Sequence, residues 1–344
     1  MRNDVRVLHL VMVCLLMLIL SGPTLSDEVL ITNGDRLTGD IVRQDNETLR
    51  LKTSYVGTLE IKWADIVEVV LDGPATVLLD DGKTMQVASF KRVEDEFVLL
   101  PEGSAKTITV PASNVKVIEP EPWELGQGHK FSGRINISID NERGNSESNE
   151  FDLDFNLNNK WKKNNFLVFG QAEYDTTRGI TTTDNWSVMA NLDHTFKGNW
   201  YYAGATMFKK DKFADLQLRS MYGGGIGYRF YESKIKNLKF ELGPYYLKDN
   251  FYSQPSVDFW GPAWFLDYDQ KVWKQRLQIY HRQTGFVAAS GGNKFLWRSW
   301  TGVRVPLISG IVGSAEYEID YDSDPAVDSD TTDQTFKLKL GYQW

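Results

Sequence analysis

The sequence predicts an all-β protein: an antiparallel transmembrane β-barrel of about twelve strands, preceded by two small β-barrels in tandem. Three observations carry this prediction. First, Phe336, Leu338, Leu340, Tyr342 and Trp344 fall on one face of a strand, and Thr335, Lys337, Lys339, Gly341 and Gln343 fall on the other. An apolar row ending in aromatics, opposite a row carrying lysines, suits a strand with lipid on one side and a wet lumen on the other. Ordinary half-buried strands also alternate, so the second observation decides: the pattern recurs from about Lys130 to Trp344. Third, the connections between these strands alternate between tight and long, as in a membrane barrel.

Composition agrees. The 344 residues are 42% hydrophobic and 13% aromatic, with a mean hydropathy of -0.37. That is too polar for a helical membrane protein but not for a barrel, in which lipid-facing and lumen-facing residues alternate. The 11 tryptophans, 15 tyrosines and 18 phenylalanines suit strands and interfacial girdles.

At the amino terminus, Arg2 and Arg6 precede an apolar run over residues 7–20, and Ser21-Gly22-Pro23 follows. This predicts a signal peptide over residues 1–26. The run is short for a membrane-spanning helix. The only cysteine, Cys14, lies inside it, so no disulfide or thiol chemistry is expected afterwards. Removing residues 1–26 leaves 38 − 2 basic against 46 − 1 acidic residues, a formal charge of −9. Such a chain gains nothing from phosphate counterion release, and nucleic acid is excluded as a partner.

Residues 27–73 and 74–122 read as two copies of one unit of about fifty residues. Asn33-Gly34 is a hairpin turn in the first and Asp81-Gly82 in the second. Thr58-Leu59-Glu60-Ile61 likewise has its counterpart in Thr107-Ile108-Thr109-Val110. Each copy holds about five short strands and resembles SH3-like or Sm-like barrels in size and turn placement, a likeness of fold that implies no ligand. The acids Asp35, Asp40, Asp80 and Asp81 are turn residues that bond local backbone or water. Glu119-Pro120-Glu121-Pro122 reads as a stiff linker.

Residues 123–344 form the predicted membrane barrel. Strands are expected from Phe131, from Phe151, and at about residues 166–174, 185–196, 200–209, 216–230, 238–247, 257–268, 274–286, 295–307, 311–321 and 335–344. Residues 161–165, 197–199 and 308–310 are tight connections, whereas 140–149, 176–184, 248–256, 287–294 and 322–333 are long and polar. Short turns belong to the periplasm and long loops to the outside, so the amino-terminal domain is expected in the periplasm and the barrel in the outer membrane of a Gram-negative cell.

Asp211-Lys212-Phe213-Ala214-Asp215-Leu216, Gly223-Gly224-Gly225-Ile226-Gly227-Tyr228-Arg229-Phe230 and Glu241-Leu242-Gly243-Pro244-Tyr245 resemble the salt-induced outer membrane protein family, a domain of unknown function. The resemblance covers residues 130–344. It implies an outer-membrane location and a response to osmotic stress, with no reaction and no catalytic residues.

The residues themselves point away from catalysis. Ser187 and His194 lie seven apart, on opposite faces of one strand, and form no nucleophile-base pair. The acids Asp320, Asp322, Asp324, Asp328, Asp330 and Asp333 begin like a calcium loop. Pro325 and Thr331 stand where such a loop needs its glycine and its bidentate acid, so neither a metal nor another cofactor is expected.

The expected lumen is richer. Arg134 and Glu173 point inward on early strands, Arg276 and Arg282 on one strand, Arg298 and Arg304 on the next, Glu316, Glu318 and Asp320 on the third, and Lys337 and Lys339 on the last. These charges either fill the interior with ion pairs or ring a channel constriction. About twelve strands enclose little space, which favours filling. Tyr342 and Trp344 are expected to serve as an assembly signal. The predicted role is structural, in envelope stress, with a narrow diffusion channel for small solutes or ions as the alternative. The expected partners are outer-membrane lipid, the barrel assembly machinery, and a periplasmic protein or cell-wall component bound by the tandem domain.

Overall fold

A computed structural model describes residues 26–45, 48–93, 96–143, 147–233, 235–326 and 329–344. The expected signal peptide, apart from Ser26, lies outside the described residues, as does Asp328. Among the described residues, no helix is long and apolar enough to cross a membrane. The chain divides into two compact units at Pro120/Glu121.

The first unit holds strands β1 (Asp27–Ile31), β2 (Arg36–Gln44), β3 (Thr48–Thr53), β4 (Gly57–Lys62), β5 (Ile66–Leu79), β6 (Thr84–Val93), β7 (Glu96–Pro101), β8 (Ile108–Pro111) and β9 (Val115–Ile118). The duplication is visible as a repeated order. Four strands, a 3-10 turn (Trp63–Asp65) and the start of β5 are followed by the end of β5, three strands, a second 3-10 turn (Ala112–Asn114) and β9. Gly34 and Gly82, with φ of 90° and 85°, close equivalent hairpins, and each amide donates to the residue three back, Ile31 and Leu79.

The two copies run into one another at residues 73 and 74 without a break. That boundary falls inside β5, which closes the first copy through Val69↔Val29 and opens the second through Val77↔Met85. All nine strands join one sheet, with β9 crossing to β2 through Gln44↔Ile118. The core is shared as well: Trp63 of the first copy stacks on Phe97 of the second at 5.2 Å. The two copies share one core cluster as well as one strand.

The expected linker is only half a linker. Glu121 caps a 3-10 turn over Pro122–Leu125, its carboxylate and that of Glu124 forming a reciprocal capping box. The turn at Lys162 joins this element, its backbone amide donating to Trp123 O at 2.6 Å.

The second unit is a closed antiparallel meander of twelve strands: β10 (Lys130–Glu142), β11 (Ser148–Trp161), β12 (Asn164–Thr177), β13 (Ile180–Lys197), β14 (Trp200–Asp211), β15 (Leu216–Glu232), β16 (Lys236–Phe251), β17 (Val257–Val272), β18 (Leu277–Val287), β19 (Phe295–Ile308), β20 (Ile311–Asp322) and β21 (Thr332–Gln343). β21 pairs back onto β10, so the sheet has no free end. The outer wall is apolar and exposed, as Phe336, Leu338, Leu340, Tyr342 and Trp344 illustrate, whereas Lys337 and Lys339 between them are buried.

Two connections differ from expectation. The polar stretch 176–184 is strand on both sides of a two-residue turn, Arg178-Gly179. The chain also turns over residues 273–276 before β18 begins at Leu277, with Trp273, Lys274 and Gln275 all in the left-handed region.

The glycine-rich strand β15 makes room for aromatics. A Cβ on Gly227 would lie 2.2 Å from the ring of Tyr201, which is fully buried. That side chain fits inside the wall only because Gly227 has none.

Candidate functional site in the barrel interior

The period-2 alternation that turns apolar residues outward directs every second polar residue into the barrel. Most of those residues are ionic, and they meet in three groups.

One group joins β18, β19, β20 and β21 to the opposite wall. Arg298 Nε donates to Glu318 at 2.7 Å, and its guanidinium also donates to Ser187 on β13 at 3.1 Å. Gln171 on β12 donates to Glu318 at 3.3 Å and accepts from the Trp300 indole at 3.1 Å. Lys337 bonds Glu173, with Glu318 at 3.6 Å and Asp152 at 3.7 Å. Lys339 lies between Glu316 at 2.6 Å and Asp154 at 2.8 Å, and Tyr280 donates to Glu316 at 2.9 Å.

A second group sits where β14, β15, β16 and β20 converge. Arg219 grips Asp249 with two bonds of 2.7 Å and reaches Asp322 with a third of 2.7 Å. Lys209 meets Asp320 at 2.6 Å. Lys294, which is 2% exposed, comes from the connection between β18 and β19 and bonds Asp322 at 2.7 Å. A loop lysine thus enters the ionic interior.

The third group is Asp193, Tyr201, Arg229, Lys239 and Glu241. Lys239 spans Glu241 at 3.0 Å and Asp193 at 3.4 Å. Tyr201 and Asn191 donate to Glu241 at 3.1 and 2.8 Å. Arg229 lies 4.1 Å over the Tyr201 ring. The charges in each group are mixed, so each cation finds acceptors and each carboxylate finds donors, as burial requires.

Of the residues singled out from the sequence, Glu173, Arg298, Glu316, Glu318, Lys337 and Lys339 are brought together in the first group. Arg304 is buried, donates to Gln278 at 2.7 Å and stacks over Tyr280 at 4.5 Å. Arg282 bonds Asp267 at 3.1 Å and lies over Phe169. Arg134 lies within electrostatic reach of Asp154 and Glu316, and its Nε has no hydrogen-bond partner.

Arg276 is a correction. It lies in the exposed turn before β18 and does not line the lumen, because the chain reverses at Trp273–Arg276 instead of running on as strand. Tyr342 and Trp344 stack on the outer face at 6.1 Å. Ser187 points inward while His194 is exposed and bonds Asn164, so the two do not meet. Asp320 and Asp322 are ion-paired inside the barrel, and the described residues hold no cluster of potential metal ligands.

Apart from the inward position of Asp320, the second and third groups are not among the sequence expectations. Their inward parity, with Arg219, Arg229, Lys239, Glu241 and Asp249 all on the lumen side of β15 and β16, is the signal that finds them.

The family model described as a protein of unknown function, DUF481, matches residues 135–344. The chain belongs to this family. The DUF481 match begins within β10 and runs to the last residue, so it covers most of the closed barrel and none of the first unit. Its description assigns no activity, and the salt-induced label is not part of it. No curated protein sequence matches this chain. Among solved structures, the DUF481 chain is similar to OmpT of Vibrio cholerae at 10% identity, covering 63% of this chain and 97% of that one with a TM-score of 0.31. It is similar to the outer membrane channel DcaP of Acinetobacter baumannii at 12% identity, covering 79% and 94% with a TM-score of 0.30. The beta domain of the Bordetella autotransporter BrkA matches at 12% identity, covering 62% and 97% with a TM-score of 0.31. None of these likenesses bears on what this DUF481 chain binds.

Proposed function

We propose that this protein is a non-conducting outer-membrane barrel with a structural role in envelope stress, and that it holds its amino-terminal β-unit in the periplasm for a protein or cell-wall partner. One observation carries the reading: side chains from opposite walls bond each other through the interior, Lys209 to Asp320 and Arg298 to Ser187. Polar groups spent on each other leave little for a permeating solute.

The bilayer location is supported by the closed twelve-stranded sheet and by the exposed apolar wall around an ionic interior. The orientation is supported by the tight turns at residues 162–163, 198–199 and 309–310, which mark the end at which β10 begins. The assembly machinery and outer-membrane lipid are the partners such a barrel requires. A non-enzymatic role is supported by the separation of Ser187 from His194.

The alternative, a narrow diffusion channel, draws on the buried Nε atoms of Arg134, Arg282 and Arg304, which lack hydrogen-bond partners. Water in the interior supplies them in that reading. Planar-bilayer recording separates the two. The first reading expects no conductance steps, and regular ion-selective steps overturn it. The stress role is tested by growth of a deletion strain after an osmotic upshift: the defect is expected, and full-rate growth overturns it.

A further inference from the structure

Eleven of the twelve strand junctions in the barrel run for most of the strand lengths, but the junction that closes it does not. β10 pairs with β11 from Lys130 to Glu142. On its other side it meets β21 only from Gly133, which exchanges backbone bonds of 3.2 and 3.1 Å with Trp344, to Ile137↔Leu340. Continuing that register places Ile139 opposite Leu338 and Asn141 opposite Phe336, yet no pairing joins them.

The wall is therefore slit over the part of the seam away from the tight turns. The side chains at its lips are more open than those on the paired stretch: Ile139 is 73% exposed against 40% for Ile135 and 45% for Ile137.

A groove of about 560 Å³ lies at the slit. That volume is within the range of ligand sites, about 300–1,000 Å³. Its outer side is apolar, formed by Ile139, Val303, Ala315 and Leu338. Ser138, Ser314 and Lys339 also line it, and these belong to the inward faces of their strands. The Ser314 hydroxyl is buried without a hydrogen-bond partner, and Lys339 is already held by Glu316 and Asp154.

We propose that the β10–β21 slit is a lateral binding slot for an acylated membrane lipid. The acyl chain covers the apolar groove, and the ester carbonyls accept from the unpaired amides of the strand edges. Hydrocarbon alone leaves unpaired backbone groups costly, so the occupant carries hydrogen-bonding atoms next to its chain. Charge does not select it, because Lys339 is already neutralised. The proposal rests on the bilayer reading above and adds to it a specific site.

The test uses the full chain in phospholipid vesicles doped with a phospholipid that carries a diazirine on its acyl chain. After irradiation, adducts are mapped by peptide mass spectrometry. Labelling of β10 and β21 peptides is expected to exceed that of the β13–β14 wall several-fold. Ala315→Trp, which fills the groove from outside, lowers it to wall level, and Leu192→Trp on the distant wall does not.

A second variant carries Ile139→Cys and Leu338→Cys, in a chain whose only other cysteine is Cys14. Reduced, it labels like the parent, and zipping the seam by oxidation removes the excess. Even labelling around the barrel, or excess that survives both Ala315→Trp and the disulfide, overturns the slot while leaving the bilayer reading standing. Disulfide-linked barrel dimers of the double-cysteine variant in place of the intramolecular bond assign the seam to a second copy and also overturn it. Absence of labelling anywhere on the wall overturns the bilayer reading itself.

Discussion

Lys209 on β14 and Asp320 on β20 stand six strands apart in a barrel of twelve, on opposite walls, and their charged groups meet at 2.6 Å. A contact of that kind spans the full width of the lumen. Asp320 has a second cation, Arg298, at 3.5 Å, so removing Lys209 weakens the bridge without orphaning the carboxylate. Both side chains keep some exposure, 15% and 20%. Lys209→Met is therefore expected to cost about 2 kcal/mol, between the values for exposed and fully buried pairs. The loss is read as a lower temperature of conversion between the folded and unfolded gel bands in detergent. An unchanged transition removes the bridge from the stability account.

Glu316→Gln with Glu318→Gln tests the interior as a whole. The change takes a carboxylate from Lys339, Lys337 and Arg298 together, and breaking a buried pair from one side costs about 3–5 kcal/mol. The double variant is expected to melt well below the parent and to remain non-conducting. A variant that melts like the parent and conducts with anion preference places these acids around an open pore instead.

The seam predicts its own sensitivity. Because β10 and β21 are joined over so few residues, the pair Gly133 and Trp344 carries a large share of the closure. A Cβ on Gly133 would sit 2.5 Å from the Trp344 ring. Gly133→Val is expected to reduce the heat-modifiable, membrane-inserted fraction, as is deletion of Trp344, with export unchanged. Normal insertion of both variants removes the argument.

The shared strand β5 makes a prediction about fragments. Residues 27–120 are expected to fold alone as a soluble β-rich unit with a cooperative melt, whereas residues 27–73 are not, because Trp63 loses Phe90 and Phe97. Far-ultraviolet circular dichroism of the two fragments decides. A cooperative melt of the shorter fragment restores two independent barrels.

What the sequence disclosed follows from which interactions are local. Alternation is a property of one strand, so the row from Phe336 to Trp344, with Lys337 and Lys339 facing the other way, was legible at once. The same holds for the count of strands. Which charge meets which was not legible, because Lys209 and Asp320 are 111 residues apart and only barrel closure brings them together.

Arg276 was misplaced for a different reason. Its turn is made by Trp273, Lys274 and Gln275 in left-handed conformations that such residues rarely take, so no glycine or asparagine announced it. The duplication was visible, but its sharing of β5 was not, since Ile66–Leu79 reads equally well as the end of one copy and the start of the next.

The hairpin of β12 and β13 changes what the barrel presents at its rim. Residues 176–184 look like a loop, polar and unpatterned, yet they are paired strand around Arg178-Gly179, and the Arg178 amide is held by Glu147 O at 2.8 Å. A protease must draw several residues of extended chain into its cleft, and a ribbon already committed to its neighbours does not yield them. Trypsin would meet Arg178 there, at a bond that the sequence advertises and the fold withholds.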